Sequence, residues 1–208
     1  MQMVKTKEIE TVGTAAHELG HALGFFHTHS RHDRDQFITV DTENVKPDWL
    51  TQFTMQTVKT NYNYNLTYDY GSIMHYGATS ASSNGKLTMV PKDVMYTETL
   101  GSHFIAFYDL LMLNKYYNCD ACKAKNTLCR NRGFAHPRDC TRCICPSGYG
   151  GQFCGERPAG CGAELEATSD WKLLEDEVGD RKAGGWPRED FMKCHYWIKV
   201  RDFWKEPQ

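Results

Sequence analysis

The chain has 208 residues and a formal net charge of −2, with 24 basic against 26 acidic side chains. That balance supplies no basic field for nucleic acid, and no run approaches the roughly 18 consecutive apolar residues of a membrane span. Hydrophobic residues make up 40%, enough to build one to three small domains. The nine cysteines all lie at or after Cys119, dividing a thiol-free front from a cysteine-dense back. Dense cysteines at short spacing point to disulfides and an oxidising compartment. The opening residues MQMVKTKEIE contain no apolar core of a signal peptide, so an exported chain of this kind is expected to lack its front.

Residues 7–23 read as an amphipathic helix, with Ile9, Val12, Ala16, Leu19 and Leu23 at three- and four-residue spacing and expected to face a core. The same stretch opens His17-Glu18-x-x-His21-x-x-Gly24-x-x-His27. On a helix His17 and His21 lie one turn apart on one face, so both imidazoles can reach a single metal ion. Gly24 suits a left-handed turn that a side chain would resist, and that turn returns His27 as a third nitrogen. Three neutral histidines leave one position open for water, as a catalytic zinc requires, and Glu18 stands beside the first ligand as the base for that water. The competing reading is a helix whose histidines are merely surface or core residues. His29 and His32 follow as surface or supporting residues without metal contact, and the alternating charges Arg31 to Asp35 read as ion pairs that fix the chain after His27.

Residues 36–40 form a short strand-like segment, and 44–60 suggest helical packing of Trp49, Phe53 and Val58 after Pro47. Residues 61–72 are a loop rich in Asn and Tyr, with an N-glycosylation sequon at Asn65-Leu66-Thr67. Ser72-Ile73-Met74-His75-Tyr76 is followed by 86–93, which reads as a strand that ends at a proline turn, and by a second helix over 104–118, apolar at Phe104, Phe107, Leu110, Leu111 and Tyr117.

HELGHALGFFHTHSRHDRD at 17–35 together with SIMHYG at 72–77 resembles the astacin family of metzincin metalloproteases. The run after the third histidine in that family, RxDRD, is matched by Arg31, Asp33, Arg34 and Asp35, and its SxMHY turn by Ser72, Met74, His75 and Tyr76. VPKD at 90–93 and LNKYYNC at 113–119 are similar to later family segments. The resemblance implies an α+β zincin-like fold, of which residues 1–119 would be the C-terminal half with the N-terminal subdomain missing. It implies zinc (Zn2+) on His17, His21 and His27, an apolar floor at Met74, and a Tyr76 that ligates at rest and swings away to stabilise the oxyanion. Alone, Tyr76 would read as a packing residue, and His75 reads as structural. The family usually carries Glu after the third histidine, engaging the new N-terminus after propeptide removal; Thr28 stands there.

Cys122, Cys129, Cys140, Cys143, Cys145 and Cys154, with Gly148, Tyr149 and Gly151, resemble an EGF-like module over 120–155. That resemblance implies pairs 122–140, 129–143 and 145–154, although six cysteines admit many pairings, and a zinc site on Cys140, Cys143 and Cys145 is the rival. Residues 156–208 resemble the opening of a CUB β-sandwich, implying Cys161–Cys194 and a poorly formed, truncated domain. Cys119 is left over, and in the family its counterpart bonds upstream of the zinc helix. The reading is a secreted zinc metalloendopeptidase acting on proteins or peptides, extracellular-matrix or precursor proteins among the candidates. The alternatives are an extracellular EGF/CUB binding fragment without turnover and a cytosolic structural zinc protein.

Overall fold

A computed structural model describes residues 3–119, 121–122, 125, 127–179 and 192–200, with side chains described from residue 12 onward. The chain divides into two compact units, Met1–Asn118 and Cys119–Gln208.

The first unit begins with helix α1, Met3–Ala22. Its packing overturns the expected core face: Val12 and Leu19 are 72% and 58% exposed, and Ile9 lies outside the described side chains. The helix instead buries Gly13 and Gly20, seven residues and thus about two turns apart on one face. A Cβ on Gly20 would come within 2.5 Å of the Met74 sulfur, and one on Gly13 within 2.9 Å of the His103 carbonyl. The smallest face makes the closest approach, which a search for large apolar residues overlooks.

Strands β1, Ile38–Val40, and β2, Met89–Pro91, pair antiparallel with Ile38 opposite Pro91 and Val40 opposite Met89. Ile38 and Met89 are fully buried and form a core with Val45, Phe53, Tyr68 and Leu100. The helical expectation for 44–60 is corrected to a short 3-10 helix, Pro47–Phe53. Proline at its start presets the first turn, and the β-branched threonines that follow favour the extended backbone at Thr54. Only Phe53 of the three proposed packing residues is buried; Trp49 and Val58 are 45% and 72% exposed. Helix α2 covers Phe107–Tyr116, within the expected 104–118. It starts late because the Asp109 carboxylate accepts the Ala106 N–H at 2.9 Å, the reach-back half of a capping box. Tyr117, expected on the apolar face, is exposed, and its hydroxyl donates to the Leu23 carbonyl.

In the second unit, strands β3, Phe134–His136, and β4, Asp139–Ile144, form an antiparallel hairpin. Disulfides Cys122–Cys140, Cys129–Cys143 and Cys145–Cys154 tie it. These are the pairs the resemblance implied, and they occupy the cysteines that the rival zinc site needed. Beyond them β5, Glu164–Glu166, and β6, Trp197–Lys199, pair in parallel next to Cys161–Cys194. Residues 180–191 and 201–208 of the CUB-like assignment lie outside the described residues. Cys119 is exposed with a free thiol. Among the described residues no helix is long and apolar enough to cross a membrane.

Candidate metal centre

Helical spacing places His17 and His21 side by side, and Gly24 reverses the chain with φ +101°. The Gly24 and Phe25 N–H groups donate to His21 and Gly20 carbonyls at 3.0 Å each, closing the helix end. The returning strand is held by the Thr28 N–H on the Met74 carbonyl at 2.9 Å. His27 therefore arrives opposite the first two rings.

His17 Nδ1–H donates to the Ile73 carbonyl at 2.7 Å, and His21 Nδ1–H to the Phe25 carbonyl at 2.8 Å. Both Nε2 atoms then carry lone pairs. They converge on His27 Nε2, at 3.2 Å from His17 and 3.1 Å from His21. Three nitrogens about 2.0–2.1 Å from a tetrahedral zinc would stand about 3.3–3.4 Å apart. The three imidazoles thus fit one zinc ion with shifts of a few tenths of an ångström. His17 and His21 both aim acceptor nitrogens at His27 Nε2, an arrangement that one cation held by all three would satisfy. Burial, reinforced by charge on His21 and His17, pulls the His27 pKa down to about 4. His27 thus holds its lone pair available across the neutral range.

Glu18 is exposed beside His17. The Tyr76 ring lies 4.5 Å from the His27 ring and 6.4 Å from that of His17. Burial raises the Tyr76 pKa, and the negative charge of Glu18 raises it further, so the phenol stays a proton donor. Beneath the rings Met74 is buried, as an apolar floor requires. His75 is buried too, accepting from the Tyr68 hydroxyl at 2.7 Å and donating to the Tyr76 carbonyl at 2.6 Å. His32 Nε2 meets the Asn63 amide at 3.0 Å. Arg31, 6% exposed, clamps Asp33 with two contacts of 2.9 and 2.8 Å and reaches the Leu66 and Thr67 carbonyls.

One support escaped the sequence reading. Asp109, from α2, accepts the Ser72 hydroxyl at 2.6 Å and the Ile73 N–H at 3.2 Å, fixing the turn that presents the Ile73 carbonyl to His17. The Thr28 hydroxyl donates to Ser72 at 3.0 Å, so the residue standing where the family carries Glu joins the Asp109 network. His29, expected as a surface or supporting residue, is fully buried and so takes the supporting place. An Asp inside an apolar helix repeat carries no local signal of this role.

The family profile described as Astacin, a peptidase family, matches residues 2–118. The chain belongs to the astacin family. Among curated relatives of this astacin, Zinc metalloproteinase nas-31 of Caenorhabditis elegans is 52% identical over 197 residues, covering 93% of this chain and 32% of that protein. Zinc metalloproteinase nas-32 of the same organism is 40% identical, covering 92% of this chain and 29% of that protein. The chain thus spans about a third of the length of these relatives. A solved structure, the hatching enzyme zinc-protease High choriolytic enzyme 1 of Oryzias latipes, matches with TM-score 0.45 and 33% identity over 51% of this chain and 52% of that one.

Proposed function

We propose that this astacin chain carries the metal centre of a secreted zinc metalloendopeptidase. The observation behind the reading is the convergence of His17, His21 and His27 nitrogens beside Glu18 and Tyr76. Zinc on these three residues supplies Lewis acidity, lowering the pKa of a water and polarising a peptide carbonyl. Glu18 takes a proton from the attacking water and passes it to the leaving amine nitrogen. The Tyr76 hydroxyl donates to the carbonyl oxygen as negative charge builds there.

The four disulfides support an oxidising, extracellular setting. The second unit is read as an EGF-like module over 120–155 followed by a CUB-like segment over 156–208. Asn65 is exposed in a turn with φ 56°, a position open to the glycan its sequon specifies. The substrates are proteins or peptides. A second reading, an extracellular binding fragment without turnover, is favoured by the exposed Leu128 and Phe153 on the disulfide-tied module, at 75% and 42%.

Glu18→Ala separates the two. The variant should bind one zinc per chain while losing at least about a hundredfold in peptide turnover. Undiminished turnover would remove Glu18 from the mechanism. A zinc-loaded native chain with no chelator-sensitive cleavage would favour the binding reading.

A further inference from the structure

His29 uses every feature of its ring while fully buried. Its Nδ1 accepts the Tyr76 backbone N–H at 3.3 Å, so the proton sits on Nε2, which donates to the Gln52 carbonyl at 3.2 Å. One face stacks on His27, with ring centroids 4.8 Å apart and planes 17° from parallel. The Tyr76 ring lies 4.4 Å away. The backbone around it is also tied, by Arg34 Nη1 on the His29 carbonyl at 3.2 Å and by the Gln56 N–H on the Ser30 carbonyl at 2.7 Å.

A residue needed only for packing would have no use for two ring nitrogens. Leu or Phe would fill the volume without requiring an acceptor at one edge and a donor at the other. Here those two edges attach to different segments, Gln52 behind and Tyr76 in front, and the ring they orient is the surface against which His27 rests.

We infer that His29 is a positioning residue that sets the third zinc ligand and the oxyanion donor with one imidazole. It fixes the plane of His27 by stacking, and fixes the backbone from which Tyr76 projects by accepting its N–H. The inference rests on the zinc-site reading above and extends it from the ligands to the residue that couples them to Tyr76.

The test is zinc affinity of the full chain, measured by competition with a chromophoric chelator. Each variant is first shown by circular dichroism and thermal melting to be folded without metal, because a purely structural role would lower the melting point and leave the affinity of folded protein alone. His29→Leu removes the stack and both hydrogen bonds, and zinc should bind at least about tenfold more weakly. His29→Asn keeps an acceptor near the Tyr76 N–H but has no ring, and should bind roughly threefold more weakly. The visible spectrum of the cobalt-loaded protein should change in both, reporting altered ligand geometry. Native affinity in a folded Leu variant overturns the inference. Where the Leu variant does not fold, native affinity and a native cobalt spectrum in the Asn variant overturn it. A native chain that holds no zinc sinks the zinc-site reading and this inference together, whereas zinc-binding native protein with unaffected variants sinks the role of His29 alone.

Discussion

Truncating Asp109 to Ala should damage the fold and the metal centre together. The side chain is 7% exposed and accepts three hydrogen bonds, from the Ser72 hydroxyl at 2.6 Å, the Ala106 N–H at 2.9 Å and the Ile73 N–H at 3.2 Å. Each abandoned buried donor costs about 1–3 kcal/mol. Asp109 borders a cavity of about 230 Å³, through which water can reach some of these donors, so the low end applies and the expected loss is about 3 kcal/mol. Asp109→Asn retains one acceptor oxygen and should lose about half as much. Urea unfolding of metal-free protein reads both values, with an unchanged m-value showing that stability alone has moved. Zinc affinity should fall as well, because the Ile73 unit joins Asp109 at its N–H end to His17 at its carbonyl end. An Asp109→Ala protein within about 0.5 kcal/mol of native stability would refute the reasoning, as would an Asn variant as damaged as the Ala variant.

Tyr76→Phe should still bind one zinc per chain and lose about a hundred- to a thousandfold in kcat; steady-state kinetics showing only a KM change would assign the phenol to substrate binding instead. Asp69 gives a pH prediction. Burial, then the Asp109 charge, pushes its carboxyl up to about 6 from 3.8, so the folded chain holds this proton where the unfolded chain has released it. Native stability is therefore lost as pH rises from about 4 to 6, by up to about 3 kcal/mol. Asp69→Asn should be more stable than native at pH 7 and lose that advantage by pH 4, and parallel denaturation curves at the two pH values would show the premise to be mistaken. Gly20→Ala should destabilise by about 1–2 kcal/mol despite its better helix propensity, because its Cβ meets buried Met74; equal or higher thermal stability would show that Met74 yields freely.

The elements legible in the sequence are those whose cause is local. His17, His21, Gly24 and His27 lie within eleven consecutive residues, and one helical turn with one left-handed glycine brings them together whatever the rest of the chain does. The strands around Ile38 and Met89 and the body of α2 were likewise readable from short patterns. Periodicity failed in the 44–60 segment, where its scattered Trp49, Phe53 and Val58 lack the continuous turns that an α-helix needs.

Tertiary structure decided what depends on distant partners. Whether α1 buries Leu19 or Gly20 turns on Met74, more than fifty residues later, because only a glycine face allows so close an approach. The tether of His17 spans 56 positions to Ile73, which is held in turn across 36 positions by Asp109. His29 reaches 47 positions to Tyr76. The convergence of His17, His21 and His27 follows from bonds and turns within one short stretch, so sequence alone determined it. The rings' tautomers, planes and supports follow from hydrogen bonds between segments that meet only once the chain has folded.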